Sequence, residues 1–133
     1  MKNRPMLTLD DCRKINAAAE AEAKKNNWNV CIAILDDGGH LLHLARMDGA
    51  TPANARIAVE KGRTAAESRR STLAWQERIK PRPEMLRMPG ITPIQGGLPI
   101  VVEGTCVGGI GISGVQSHED EQIAAAGIKA LTT

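Results

Sequence analysis

Phenylalanine and tyrosine are absent from this chain, and tryptophan occurs only at Trp28 and Trp75. The core must therefore be filled by Ile, Leu, Val, Ala and Met, and a flat ligand would find few rings to stack against. Cysteine is scarce too: Cys12, Cys31 and Cys106, with no CxxC spacing. An odd count without that spacing fits reduced thiols in a cytoplasm better than a disulfide framework. No apolar run approaches the roughly 20 residues of a membrane span. The basic start MKNRPMLTLDD has no apolar stretch behind it, so it does not read as a secretory signal. Neither charge sign dominates. The 17 Lys and Arg against 15 Asp and Glu leave +2, too little to argue for nucleic acid or a membrane surface as partner.

What remains is an ordinary globular composition, 42% hydrophobic and 24% charged over 133 residues. That length suggests one domain, residues 1–133, with enough chain to bury a real core. Thirteen glycines beside many alanines imply close backbone packing.

Thr8 suits a helix N-cap, with Asp11 three residues on in the capping-box position. Leu9, Cys12, Ile15, Ala19 and Ala23 then recur at helical spacing, and KKNN closes the helix near Asn26. VCIAIL, residues 30–35, is apolar throughout and reads as a strand buried on both faces. DDGG signals a tight turn, and HLLHLAR returns as the partner strand. Thr51 and Pro52 start a second helix as N-cap and first-turn proline. Its wheel gathers Ala55, Ala58, Val59, Gly62, Ala65 and Ala66 on one stripe, and Arg56, Glu60, Arg63, Glu67 and Arg70 on a charged face. Lys61 lies on neither. STLAWQERI fits a short helix, and KPRPEMLRMPGITPIQGG, with four of the seven prolines, reads as a long surface loop. LPIVVEGTCVGGIGIS forms a second hairpin turning at Glu103-Gly104. Ser117, with Asp120 three residues on, is expected to cap a last helix.

Hairpins alternating with helices define the α+β class: an antiparallel sheet built from two hairpins with flanking helices. Three short helices would leave apolar faces of VCIAIL and PIVV uncovered. The expectation is a homo-oligomer, a dimer or higher.

Several segments carry a family resemblance. LDDGGHLLHLARMDGA, the helix with Lys61, GGLPIVVEGTCVGGIGISG and EDEQIAAAGIKAL resemble the GlcG/HbpS family of haem-degrading domains, which includes the carboxy-terminal half of PduO-type proteins. The shared pattern falls on Asp36, Gly39, Arg46, Met47, Asp48, Lys61, Gly97, Pro99, Gly104, Gly108, Gly111, Ser113, Gly114 and Asp120. It spans the chain from about Leu7 to Leu131. The resemblance implies a profilin-like sandwich that assembles as dimers or rings, with haem or a related tetrapyrrole as ligand in some members. Two departures stand out: glycine at Gly62 and Gly109 where the family prefers alanine, and no Phe or Tyr to pack on a porphyrin.

Three groups of residues are candidates for function. His40 and His43, three apart on a strand, point to opposite faces. They cannot easily clip one metal ion, so no metal site is assigned, but either is a candidate axial ligand for haem. Arg46, Asp48, Lys61 and Asp120 form the second group. Arg46 and Lys61 would hold a carboxylate, on a haem propionate or a small organic acid, because the guanidinium fork matches that group. Lys61, Asp48 and Asp120 are the candidates for acid/base chemistry. The competing reading is an internal salt bridge of Arg46 or Lys61 with Asp36, Asp48 or Asp120. The third group is GGIGISG, where Gly111, Ser113 and Gly114 either line a pocket floor or let backbones pack closely. His118, the three cysteines, Met85 and Met88 are read as solvated, buried or loop-anchoring residues. The functional expectation is a small-ligand-binding protein with haem as the family-implied cofactor. Alternatives are an isomerase or lyase acting on a small organic acid, or an assembly scaffold.

Overall fold

The structure, a computed structural model, describes residues 1–131. Helix α1 is Leu9–Lys25, strand β1 Cys31–Asp36, strand β2 Leu41–Arg46, helix α2 Pro52–Ser68 and helix α3 Thr72–Ile79. After a 3-10 helix at Pro83–Arg87 come strand β3 Gly97–Val102, strand β4 Thr105–Ser113 and helix α4 Ser117–Lys129. The strands pair antiparallel in the order β2-β1-β4-β3. This is the α+β sandwich expected from two hairpins and flanking helices.

The continuous apolar run of β1 has a simple cause. Ile32 and Ile34 face α1 and α4, in a core shared with Ile15, Ile110, Ile112 and Ile123. Cys31, Ala33 and Leu35 face α2 and meet Ala58. Both sides of this strand are thus covered from within the chain. That corrects the argument that VCIAIL needs a partner subunit. Within the sheet, the exposed large apolar side chains sit on the edge strands instead: Leu41 and Leu44 on β2, Val101 on β3.

Local chemistry sets the helix starts. Thr8 Oγ1 accepts the Asp11 amide at 3.1 Å, and the Asp11 carboxylate accepts the Thr8 amide at 2.8 Å. The Thr8 amide, with the Thr8 hydroxyl donating to the same Asp11 oxygen at 2.9 Å, holds the Asp11 carboxyl below its ordinary value. Leu7, just before the cap, packs into the same cluster as Cys12, a hydrophobic staple that fixes the angle of entry. Leu9, expected on the buried side, is exposed, because the staple residue takes the inward position. At α2, Pro52 alone supplies the start, since the Thr51 side chain makes no capping hydrogen bond. The last helix begins one residue earlier than expected. Gln116 is the N-cap, and its amide donates to Glu119 Oε1 at 3.1 Å. Asp120 is free of that duty and turns inward.

The proline-rich stretch is more ordered than a surface loop. Met85 of the 3-10 helix packs on Trp75 and Ile79 of α3, with Met88 and Ile91 against them. The buried Thr64 of α2 accepts the Thr92 amide at 2.9 Å, and Trp75 Nε1 donates to Ser68 Oγ at 2.8 Å. The segment is pinned to α2 by its own small core.

Helix α2 lies against β4 at backbone distance. A methyl group built on Gly111 would stand 1.9 Å from the Ala58 carbonyl oxygen and 2.5 Å from the Gly62 nitrogen. One on Gly109 would stand 2.3 Å from the Gly62 oxygen, and one on Gly62 2.3 Å from Leu35 Cδ1. Glycine at Gly62 and Gly109, the first of the departures from the family pattern, belongs to this contact.

Candidate functional site

Lys61 is buried at 2% relative exposure, and so is Asp120. Lys61 Nζ donates to Asp120 Oδ2 at 3.0 Å and to the Ile112 carbonyl at 3.0 Å. The Val115 amide donates to Asp120 Oδ1 at 3.2 Å. Helix α2, strand β4 and the start of α4 meet in these contacts. The wheel position of Lys61, off the charged face, is explained by an internal carboxylate. Burial pushes the Asp120 carboxyl up from its ordinary value, while the Lys61 charge and hydrogen bond and the Val115 amide pull it down; burial prevails. Of the two arrangements open to Lys61 from sequence, the structure holds the internal pair.

The glycine-rich strand offers no pocket floor at Gly111, where the α2 backbone occupies the space. Ser113 is buried and its Oγ donates to Asn54 Oδ1 at 2.9 Å. Gly114 has φ +153, and a methyl there would meet the Asn29 oxygen at 2.6 Å. Close backbone packing, one of the two possibilities for this segment, is the arrangement present.

The two histidines are separated as the strand alternation implied, with a further difference. His40 lies in the turn before β2, its side chain 82% exposed, with Nδ1 3.2 Å from Asp36 Oδ1. The same carboxylate oxygen accepts the Gly38 amide at 2.9 Å and the His40 amide at 3.0 Å. Burial opposes ionisation of Asp36, but these amides and the His40 ring outweigh it and hold its carboxyl below the ordinary value. An ionised carboxylate only accepts, so Nδ1 is the donor in this contact and Nε2 is directed away from Asp36. His43 pairs with Ile34 and shares its face toward α1 and α4; its Nδ1 is buried with no hydrogen-bond partner. His118 is exposed. Among the described residues no group of three His, Cys, Asp or Glu side chains is placed to hold a metal ion.

Arg46 and Lys61 are not brought together. Arg46 lines a recess of about 350 Å³ with Glu20, Lys24, Asn29, Met47 and Asp48, and Lys61 is not part of it. Sequence reasoning missed Glu20, Lys24 and Asn29, which come from α1 and the connection between α1 and β1; no local pattern ties them to the Arg46 turn. It also missed Asp36 as the partner of His40, although DDGGH carries that signal, since Asp commonly bonds amides a few residues on in a turn.

Two helices on one face of a two-hairpin antiparallel sheet, and a third on the other face packed through glycine, define a small profilin-like sandwich. The chain belongs to the HbpS-like family, described as haem degrading protein HbpS-like, whose pattern matches residues 7–129. It is 45% identical over 114 residues to Protein GlcG of Escherichia coli strain K12, covering 85% of each chain. The fold is similar to that of a Streptomyces reticuli HbpS double mutant, with a TM-score of 0.91 and 32% identity over 98% of this chain and 90% of the other. It is also similar to PduOC solved as a haem complex, with a TM-score of 0.87 and 25% identity over 95% of each chain. No helix among the described residues is long and apolar enough to cross a membrane.

Proposed function

We propose that this protein is a cytoplasmic, oligomeric tetrapyrrole-binding protein whose ligand is haem, with His40 as the axial ligand. The observation that carries this reading is the His40–Asp36 contact. A metal-ligating histidine characteristically gives its second ring nitrogen to a carboxylate, which fixes the ring and raises the basicity of the ligating nitrogen. His40 has that arrangement, at 3.2 Å and with an exposed ring. The Leu41 and Leu44 side chains, exposed at 46% and 41% on the adjacent edge strand, offer apolar surface beside it. Haem, when bound, supplies a redox-active iron. The chain's own part is to present Nε2, to hold the ring through Asp36 and to exclude some water with the two leucines. Without Phe or Tyr to stack on the macrocycle, binding is expected to be weak.

Titration of haemin into the purified protein, followed at the Soret band, tests this. His40→Ala should lose the ligated spectrum and His43→Ala should keep it. Asp36→Asn should weaken binding by about tenfold or more. If replacing both histidines leaves the spectrum unchanged, neither ligates the iron.

The oligomeric part of the proposal rests on the edge strands. Leu41, Leu44 and Val101 are apolar and exposed there, and an edge strand presents unpaired amides and carbonyls to a second chain. Light scattering at micromolar concentration should give a mass of at least twice 14.2 kDa. A particle of that single-chain mass excludes assembly.

A further inference from the structure

The recess beside the Arg46-Met47-Asp48 turn is separate from the His40 contact and from the Lys61–Asp120 pair. Its charges have an unusual status. The Arg46 and Asp48 side chains make no hydrogen bond or ion pair with any described residue, and both are exposed. The second cation, Lys24, stands 3.7 Å from Glu20, a loose surface pair. The lining therefore carries two cations and two carboxylates, with Asn29 and the half-buried Met47 between them. At about 350 Å³ it lies within the size range of small-molecule sites, roughly 300–1,000 Å³.

We propose that this recess binds a free amino acid as its zwitterion. The guanidinium of Arg46 is a planar fork matched to a carboxylate, and no described residue uses it. The carboxylate of Asp48, two residues on, is the counterpart for an α-ammonium group and is likewise unused. Met47 and the aliphatic stem of Lys24 give an apolar wall for a side chain. Charge disfavours the simpler ligands. A dicarboxylate or a phosphate would meet Arg46 but be repelled by Asp48 and Glu20. A simple amine would meet Asp48 but be repelled by Arg46 and Lys24. A molecule carrying both charges satisfies the free pair together. The inference does not depend on the haem proposal, because neither His40 nor Asp36 lines the recess.

The test is amide chemical-shift titration of the full chain with L-alanine, L-methionine and L-glutamine at millimolar concentration, with acetate, succinate and propylamine as controls. At least one amino acid should saturate shifts at Lys24, Asn29 and the Arg46–Asp48 turn, while the controls should not. Arg46→Gln and Asp48→Asn should each weaken that binding about tenfold or more. Both positions are exposed, so both variants should keep the native melting temperature. His40→Ala should leave amino-acid binding unchanged even where it abolishes the haem spectrum. The proposal is overturned if none of the amino acids perturbs the recess, if acetate or propylamine binds as well as they do, or if the two variants bind like the native chain.

Discussion

Gly111→Ala will not reach the native sandwich. The added methyl would sit 1.9 Å from the Ala58 carbonyl oxygen and 2.5 Å from the Gly62 nitrogen. Both are backbone atoms of α2, so no side-chain rotation relieves the clash. The helix must lift off β4, which separates Ala58 from Cys31, Ala33 and Leu35 and opens a gap along the sheet. Ordinary overpacking costs about 1–3 kcal/mol; displacing a whole helix should exceed that and approach the roughly 5–15 kcal/mol that holds a domain folded. Urea denaturation should show no cooperative native transition, or a midpoint far below that of the parent. Gly104→Ala is the control. It has open space around it and φ +78, so it carries only the left-handed backbone cost of roughly 1–2 kcal/mol. If Gly111→Ala is no worse than Gly104→Ala, the close approach of α2 to β4 is not as described.

Lys61→Ala should cost about 3–5 kcal/mol, because it leaves the buried Asp120 carboxylate facing no cation. The Lys61→Met, Asp120→Leu double variant should recover part of that loss, since it removes both charges instead of one. The pH dependence separates this pair from simple packing. Burial already lifts the Asp120 carboxyl above its ordinary 3.8 despite Lys61. A carboxyl raised in the folded state takes up its proton there first. Its contribution to stability is therefore largest below 3.8 and falls as pH rises through the folded value. Removing Lys61 removes the charge and hydrogen bond that pull Asp120 down, so the fall extends to higher pH. The deficit of Lys61→Met relative to the parent should be small in acid and grow toward neutrality. Denaturation across that range measures it, and a deficit independent of pH would be wrong for a buried ion pair.

The recess and the His40 contact differ in how far the sequence exposed them. Both partners of the His40 contact lie within DDGGH, where a turn must close and one carboxylate can gather nearby amides. Its geometry is local, and sequence spacing limits it. The recess joins Arg46 to Lys24 and Glu20, more than twenty residues earlier in the chain. Their meeting depends on where α1 ends over the sheet, and no spacing rule reports that. The pair of Lys61 with Asp120 lies between these cases. The wheel showed that Lys61 was not on the solvated face and left Asp120 among its possible partners, but which one lay within reach required the packing of α4.

By itself the sequence determined the element types, the two hairpins, the buried first strand, the α+β class and the family, because these follow from short-range periodicity, turn chemistry and motifs carried in order along the chain. The tertiary structure decided which face each helix covers, that β1 needs no outside partner, that Met85 and Trp75 build a small core under the proline-rich segment, and that Asp120 rather than Ser117 or Glu119 turns inward. The physical reason is the same in each case. These outcomes are set by contacts between residues distant in sequence, and such contacts depend on how closely backbones approach, here 1.9 Å from a methyl-sized exclusion at Gly111, a distance that composition and spacing do not encode.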